Sequence, residues 1–252
     1  MSIWQQFVLG VKSYGQAFSF IFNNGLWIYF IYPLFIGIIL FFGSFSAAGY
    51  ISDKLEALIL GYIEPENAEG WLGFLSGALH IFLTIGLKII FFFIYSTFSK
   101  YITLIIMSPI MALLSERTEE LITGKKFPFE LSQFLKDILR GIAIALRNMF
   151  IEFGFIFLCM LVVWIPLLGW VTPIFLMLIS YYFYGFSMLD YSNERHKLNV
   201  SESVRYIRKY KGVAIGNGFI FSLLFAFPII GSMLSTVLAP VAATIAVVEL
   251  KK

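Results

Sequence analysis

Four long apolar stretches restrict this chain to one solvent, the lipid bilayer. They cover residues 28–51, 71–114, 149–189 and 213–248. Each is longer than the ~20 residues that a membrane-spanning helix needs. Charged residues make up only 13% of the sequence, whereas a soluble domain carries about 25%. The sequence therefore predicts a polytopic, all-α integral membrane protein that forms a single membrane domain over residues 1–252.

Proline and glycine interrupt the last two stretches. The first interruption is Ile-Pro-Leu-Leu-Gly-Trp-Val-Thr-Pro at 165–173, and the second is Phe-Pro-Ile-Ile-Gly at 227–231, followed by Ala239-Pro240. Non-helical backbone survives at membrane depth only where protein buries it or where it lines a polar cavity. We therefore expect hairpins at 149–190 and 213–250.

The arms of these hairpins are short. The first hairpin has arms at the lower limit for spanning, 149–165 and 173–190. The second hairpin has arms that are too short to cross the ~30 Å hydrocarbon core, 213–227 and 240–250. The connectors that flank both hairpins are basic, so each hairpin is expected to enter and leave by the same face. Both facts predict partly penetrating, re-entrant hairpins, the second more firmly than the first.

The connectors differ in charge. Residues 52–70 hold five acidic groups and one lysine, whereas 115–147 and 191–212 each hold six basic residues. Basic connectors stay cytoplasmic, so we expect 52–70 outside and the others inside. The basic runs serve either this topology alone or, additionally, the binding of anionic lipid or substrate.

The remaining segments complete the predicted topology. Residues 1–24 alternate aromatic and polar side chains, which favours a helix lying in the membrane interface. Ser108-Pro109 is typical of a helix start, because proline is tolerated at the first helical position behind a serine cap. The predicted spans are 26–51 and 72–107, followed by cytoplasmic or interfacial helices over 109–147.

The sequence does not indicate an enzyme. His80 and His196 lie on opposite predicted sides of the membrane, and Cys159 is the single cysteine. There is no paired metal-ligand motif, no glycine-rich phosphate loop and no nucleophile elbow. We therefore expect no cofactor, no metal and no nucleic-acid partner.

Three features are candidates for binding an anion. Lys88 lies in the middle of a predicted span, where an ionisable group is costly and often functional; the alternative is a lysine that snorkels or pairs with Glu152. Thr172-Pro173 and Ala239-Pro240 are each predicted to start a half-helix, whose free N–H groups attract anions. The alternative is that these prolines only turn the hairpins.

Two glycine-containing segments are further candidates. Asn23-Asn24-Gly25 precedes the first span, and Asn24 is a possible cap for that helix. Gly216-Asn217-Gly218 lies at the entrance of the last hairpin and would allow close backbone approach. A simple cap or a packing glycine is the alternative in both cases.

Several motifs together resemble the CysZ family, whose wider membership includes the eukaryotic etoposide-induced membrane proteins. The resemblance covers nearly all of residues 15–250. It is carried by Gly25, Pro33, Ser108-Pro109, the amphipathic segment 113–124, Asp190-Tyr191, His196 and the two hairpin motifs. It implies two long spanning helices, two partly penetrating hairpins and a homo-oligomer.

The resemblance also implies a function, a permease that moves sulfate across the bacterial inner membrane towards cysteine synthesis. The family places its sulfate site where a glycine–aliphatic pair precedes arginine. Gly25 and Leu26 match that pair, but Trp27 and Ile28 occupy the arginine position. The predicted anion site is therefore Asn24, Gly25, Leu26, Lys88, Thr172 and Asn217, for sulfate or a related anion that passes passively. The alternative is a non-transport scaffold or lipid-interacting protein of the same fold.

Overall fold

The computed structural model describes residues 1–63, 101–126, 130–162, 168–227 and 229–251. The chain divides into two compact units, Met1–Gly37 with Thr103–Lys252, and Ile38–Ile102. Every regular element in the described residues is helical. The predicted all-α membrane fold is confirmed.

Eight helices can be followed in the described part of the chain. A short 3-10 helix, Leu26–Phe30, lies between the first two of them. Residues 101–123, here α3, are also helical. The others are α1 (Ile3–Asn23), α2 (Ile31–Ile63), α4 (Leu131–Val162), α5 (Leu168–Arg195), α6 (Val200–Lys209), α7 (Lys211–Phe225) and α8 (Ile230–Leu250).

Four stretches are long and apolar enough to cross a membrane within the described residues. They are Leu26–Gly43, Leu131–Cys159, Val171–Arg195 and Ile230–Leu250. Large apolar side chains cover the outside of these helices, for example Phe35, Phe150 and Ile174, each more than 60% exposed. In a bilayer that surface meets lipid, so the protein is a multi-pass membrane protein.

Helix α7 is at the centre of the larger unit and packs through glycines. A Cβ at Gly212 or Gly216 would overlap a carbonyl oxygen of α1, and a Cβ at Gly218 would overlap the carbonyl oxygen of Tyr181 in α5. Small residues let helix backbones approach closely, which is the main packing device available where lipid removes the hydrophobic drive between helices. The glycines of the Gly216–Gly218 segment therefore act as packing residues.

Helix α1 turns an unexpected face to the protein. A capping box between Ser2 and Gln5 starts the helix. Gln6 is buried, accepts a hydrogen bond from the Gly212 N–H at 3.1 Å and donates one to the Lys209 carbonyl at 3.3 Å. Trp4 and Phe18, by contrast, are 71% and 51% exposed. The outward apolar side chains suit lipid contact, while the buried face mixes polar, small and apolar residues, and Gln6, Gly10 and Tyr14 of this face contact α7.

Two of the prolines that were expected to break helices lie inside them. Pro173 is the sixth residue of α5, and Pro240 lies in the middle of α8. A proline removes one backbone hydrogen bond, and neighbouring polar groups can compensate inside a membrane protein. The prediction that Thr172-Pro173 and Ala239-Pro240 start half-helices is wrong. Helix α8 begins at Ile230, and α5 is already helical at Leu168, where the described residues resume.

Other predicted boundaries also differ. Helix α3 runs through Ser108-Pro109 without a break, α4 joins the two segments predicted to separate near 148, and α2 continues past residue 51 to Ile63. With 21 residues, α8 is about 31 Å long and can cross the hydrocarbon core. The predicted length of the second arm is therefore wrong, whereas α7 has 15 residues, as short as the first arm was predicted to be. The depth of the second hairpin stays a prediction.

The turn between α7 and α8 is tight. Ile229 has φ 60 and ψ −69, close to the strained classic γ-turn, which is rare for a β-branched residue. The Ser232 hydroxyl donates to the Ile229 carbonyl at 2.8 Å, and Gly231 packs against the Leu224 carbonyl. The second hairpin tip thus lies at 226–230, as the proline–glycine motif indicated.

Candidate functional site

The Asn24–Leu26 turn is the predicted anion site that the structure describes most completely. Gly25 adopts φ 68, a left-handed conformation that glycine takes without steric cost. The Asn24 side chain donates to the Phe20 carbonyl at 2.8 Å, so it closes the C-terminus of α1. The prediction that Asn24 caps the following helix is wrong, because Gly25 occupies that position.

The start of the 3-10 helix is accessible. No side chain caps it, and a Cβ at Gly25 would meet nothing within 4 Å. Trp27 and Ile28 are 55% and 54% exposed, whereas Leu26 is buried and anchors the turn. The first N–H groups of a helix have no intrahelical acceptor. The turn therefore presents backbone donors without the positive side chain that the family resemblance implies.

Asn217 lies in the interior, between α7, α8 and α1. Its side-chain N–H donates to the Ala239 carbonyl at 3.2 Å, next to Pro240. The Tyr14 hydroxyl donates to the Asn217 carbonyl at 2.9 Å. Its side-chain oxygen is buried without a hydrogen-bond partner in the described residues. Asn217 therefore links α1, α7 and α8 through hydrogen bonds. Its side-chain oxygen without a partner is a hydrogen-bond acceptor and would repel an anion.

Among the described site residues, Asn217 and the Asn24–Leu26 turn lie at different levels of the fold. Tyr14, which marks the level of Asn217 on α1, precedes Asn24 by ten residues, or about 15 Å of helix. The 3-10 helix contacts α1 and α8. Thr172 lies half-buried in the first turns of α5. Lys88, with His80 and Thr84, lies outside the described residues, so its role stays a prediction.

A buried ion-pair cluster, which was not predicted, joins α3 to the end of α5. Nε and Nη2 of Arg195 both donate to Oε2 of Glu119, at 3.0 and 2.8 Å, and Nη1 donates to Ser115. The two side chains are 7% and 3% exposed. The Ser115 hydroxyl also hydrogen-bonds Thr244 of α8 at 2.8 Å. This Arg195–Glu119 cluster therefore ties three helices together.

His196 and Lys251 border the same cluster. His196 Nε2 lies 2.9 Å from the second oxygen of Glu119. Burial lowers the pKa of the His196 imidazole, with further lowering from Lys251 and Arg195 and an opposing effect of Glu119. Burial likewise lowers the pKa of the Lys251 amine, against the attraction of Glu119. The Glu119 carboxylate thus interacts with three basic groups, those of Arg195, His196 and Lys251.

A second cluster joins α4, α5 and α6. Arg140 donates to both oxygens of Asp190 at 3.0 Å and to the Leu198 carbonyl at 2.6 Å. Asp190 also accepts a hydrogen bond from Ser203, and Glu194 lies 3.9 Å from Arg140. Because both guanidinium groups in these clusters already face carboxylates, neither is available to an anion without breaking an ion pair. Their role is structural.

The signal for these clusters was present in the sequence. Asp190 is the first charged residue after Glu152, at the end of a long uncharged run. A charge at the edge of such a run requires a partner, because burying it alone is costly. The sequence does not say which arginine supplies that partner.

The fold and these clusters define a class: a multi-pass α-helical membrane protein whose helices are tied at one end by buried ion pairs. A family model described as "Sulfate transporter CysZ/Etoposide-induced protein 2.4" matches residues 13–235. The chain belongs to this family, as the sequence motifs indicated. Membership points to a transport protein and not to an enzyme.

Curated relatives carry the same description at modest identity. The chain is 28% identical to a Sulfate transporter CysZ of Vibrio parahaemolyticus over 183 residues, which cover 69% of this chain and 71% of the relative. It is 22% identical over 221 residues to one of Pseudomonas fluorescens, covering 87% and 85%. It is 24% identical over 235 residues to one of Pectobacterium atrosepticum, covering 92% and 81%.

Proposed function

We propose that the protein is a permease for sulfate or a related small oxyanion in the bacterial inner membrane, supplying sulfur assimilation. The observation that carries this proposal is the family match over residues 13–235. The relatives named as sulfate transporters support sulfate as the substrate. The four membrane-length helices are what such a protein requires.

The anion is bound first at the Asn24–Leu26 turn. Its uncapped helix start offers backbone N–H groups, and the left-handed Gly25 leaves open space beside them. Helix starts of this kind favour anions because free N–H groups and the positive dipole end coincide. Lys88 and Thr172 are proposed as later contacts along the path. Asn217 is kept as a candidate only through its side-chain N–H.

Passage is proposed to be passive or channel-like. The sequence has no nucleotide-binding motif that would couple transport to ATP. Arg140 and Arg195 are held in ion pairs by Asp190 and Glu119, so these charges stay fixed in the fold. The permease is proposed to work as a homo-oligomer, as the family resemblance implies.

Counterflow in proteoliposomes tests the substrate and the mode together. Vesicles loaded with unlabelled sulfate and placed in labelled sulfate should accumulate label, and a protonophore should not change the rate. Excess unlabelled sulfite or thiosulfate should reduce the uptake of labelled sulfate if the site recognises the charge of the oxyanion. A rate that collapses with the protonophore would contradict passive passage while leaving the substrate assignment intact.

One observation favours a second function, a non-transport scaffold or lipid-interacting protein. Trp27 and Ile28 stand exposed where the family resemblance implies arginine. Exposed apolar side chains at a helix start suit contact with lipid. Counterflow equal to that of protein-free vesicles for sulfate, sulfite and thiosulfate alike would favour this function over transport.

A further inference from the structure

A cavity of about 500 Å³ opens on the side of the larger unit, between α4, α5 and α6. Nine of its lining residues are apolar or aromatic and two are arginines. Four members of the apolar wall are Ile151, Phe155, Phe175 and Leu178. Phe175 and Leu178 are 46% and 47% exposed, so the cavity is open towards the lipid.

The two arginines lie at one end of this groove. The guanidinium of Arg147 stacks over the Phe186 ring at 5.6 Å and donates to Asn148 Oδ1 at 3.1 Å. Asn148 is itself buried and held by the Ser187 hydroxyl and the Phe183 carbonyl. Arg147 is therefore positioned by the fold. Arg208 enters the same groove from α6.

These two arginines differ from Arg117, Arg140 and Arg195 because they have no carboxylate partner in the described residues. Arg140 and Arg195 are ion-paired, whereas no ion pair of Arg147 or Arg208 occurs in the described residues. Two neighbouring cations that face a low-dielectric wall repel each other, and an anion between them relieves that repulsion. The charge of the groove thus calls for a negative ligand.

The groove also has a direction. From the Arg147 level to Phe155, α4 advances about 12 Å, and over that distance the lining becomes wholly apolar. α6, which carries Arg208, belongs to the basic connector that the charge bias places on the cytoplasmic side. An occupant with a negative head and an apolar tail, lying along the helices, satisfies both ends at once.

We propose that this groove, lined by Arg147, Arg208 and the apolar wall, binds an anionic phospholipid of the cytoplasmic leaflet. The phosphate lies between the two guanidinium groups, and an acyl chain runs along Ile151, Phe155 and Leu178. A small free oxyanion suits the groove less well, because it would leave most of the 500 Å³ apolar volume unfilled. Basic pockets between membrane helices bind anionic head groups by the same electrostatics.

Native mass spectrometry of the full chain in detergent tests the assignment. Phosphatidylglycerol and phosphatidylcholine with identical acyl chains are titrated, and the bound population is counted. Phosphatidylglycerol should bind more tightly. Arg208→Gln should weaken it roughly fivefold, and Arg147→Gln with Arg208→Gln roughly 30-fold, down to the level of phosphatidylcholine. Arg208 is exposed at the surface, so its replacement leaves the helix packing intact.

A matched control removes two exposed cations outside the groove, Lys12→Gln with Arg205→Gln, and should leave the preference unchanged. Ile151→Trp keeps both charges but fills part of the apolar volume of the groove, and it should weaken the binding of both lipids. Equal binding of the two lipids to the wild-type protein, or an unchanged preference in both arginine variants, would overturn the proposal. Displacement of phosphatidylglycerol by millimolar sodium sulfate would also overturn it, in favour of a free-oxyanion site.

Discussion

Two guanidinium nitrogens of Arg195 donate to a single carboxylate oxygen of Glu119, at 3.0 and 2.8 Å, while the other oxygen of Glu119 faces His196. The two residues are 76 positions apart, so the pair fixes the end of α5 against α3. Both side chains are buried, so each charge has lost its hydration. The attraction between the two charges offsets that desolvation cost.

Removing one partner of this pair should therefore destabilise the fold. Glu119→Gln leaves Arg195 as a buried and uncompensated charge, which costs about 3–5 kcal/mol. Thermal unfolding of the purified protein in detergent should show a clearly lower midpoint. Arg117→Gln is the control, since that side chain is 55% exposed and its pair with Glu120 is worth at most about 1 kcal/mol. Equal midpoints for the two variants would contradict the structural role of the cluster.

The same cluster predicts a pH dependence. Burial, Lys251 and Arg195 lower the pKa of His196 against the effect of Glu119, so the unfolded chain binds a proton more readily than the folded one. Stability contributed by neutral His196 is therefore present above the unfolded pKa of about 6.5 and is lost as the pH falls towards the lower folded value.

Unfolding midpoints measured between pH 7.5 and 5 should show this loss. His196→Gln keeps a side-chain N–H for Glu119 but does not titrate, so its midpoint should vary less over that range. The wild-type midpoint should fall relative to that of the variant on acidification, since the other titrating groups are common to both proteins. A difference between the two midpoints that stays constant, or that shifts in favour of the wild type, would contradict the sign derived for His196.

Close glycine packing around α7 predicts opposite effects for two identical substitutions. Gly218→Ala places a methyl group against the Tyr181 carbonyl and should destabilise the protein by about 1–3 kcal/mol. Gly15→Ala on α1 meets nothing within 4 Å and should stabilise by about 0.5–1 kcal/mol. Chemical denaturation followed by helical circular dichroism measures both. Similar shifts in the two variants would argue against the close approach of α5 and α7.

The left-handed Gly25 predicts a graded effect on the proposed anion site. Asparagine tolerates this conformation, whereas a β-branched residue does not. Gly25→Asn should keep most of the sulfate flux, and Gly25→Val should lose it by tenfold or more if the turn shapes the site. Helical content and oligomer size serve as folding controls. Equal flux in the two variants would remove the turn from the anion path.

The sequence predicted the class of fold because that conclusion depends on composition. Apolar stretches such as 28–51 exceed membrane thickness whatever their neighbours do. The hairpin tip at 226–230 was predictable for a similar reason, since proline and glycine act locally. The family was also recognisable, because its motifs keep their order along the chain.

Helix boundaries at Pro173 and Pro240 were not predictable from the same rule. Pro240 leaves the Thr236 carbonyl, four residues earlier, without its helical partner, but α8 continues through the proline because α1, α5 and α7 pack around it and bury Pro240. The orientation of α1 was missed because Gln6, which looks like a solvent-facing residue, satisfies the backbone of α7. Tertiary partners decide both points, and local sequence does not contain them.

The most direct test of the proposed transport function is the initial rate of labelled sulfate uptake into proteoliposomes containing the purified wild-type protein. We expect saturable uptake well above that of protein-free vesicles, which stops once the sulfate gradient has dissipated. Uptake equal to that of protein-free vesicles, in protein shown to be folded by its helical content, would contradict it.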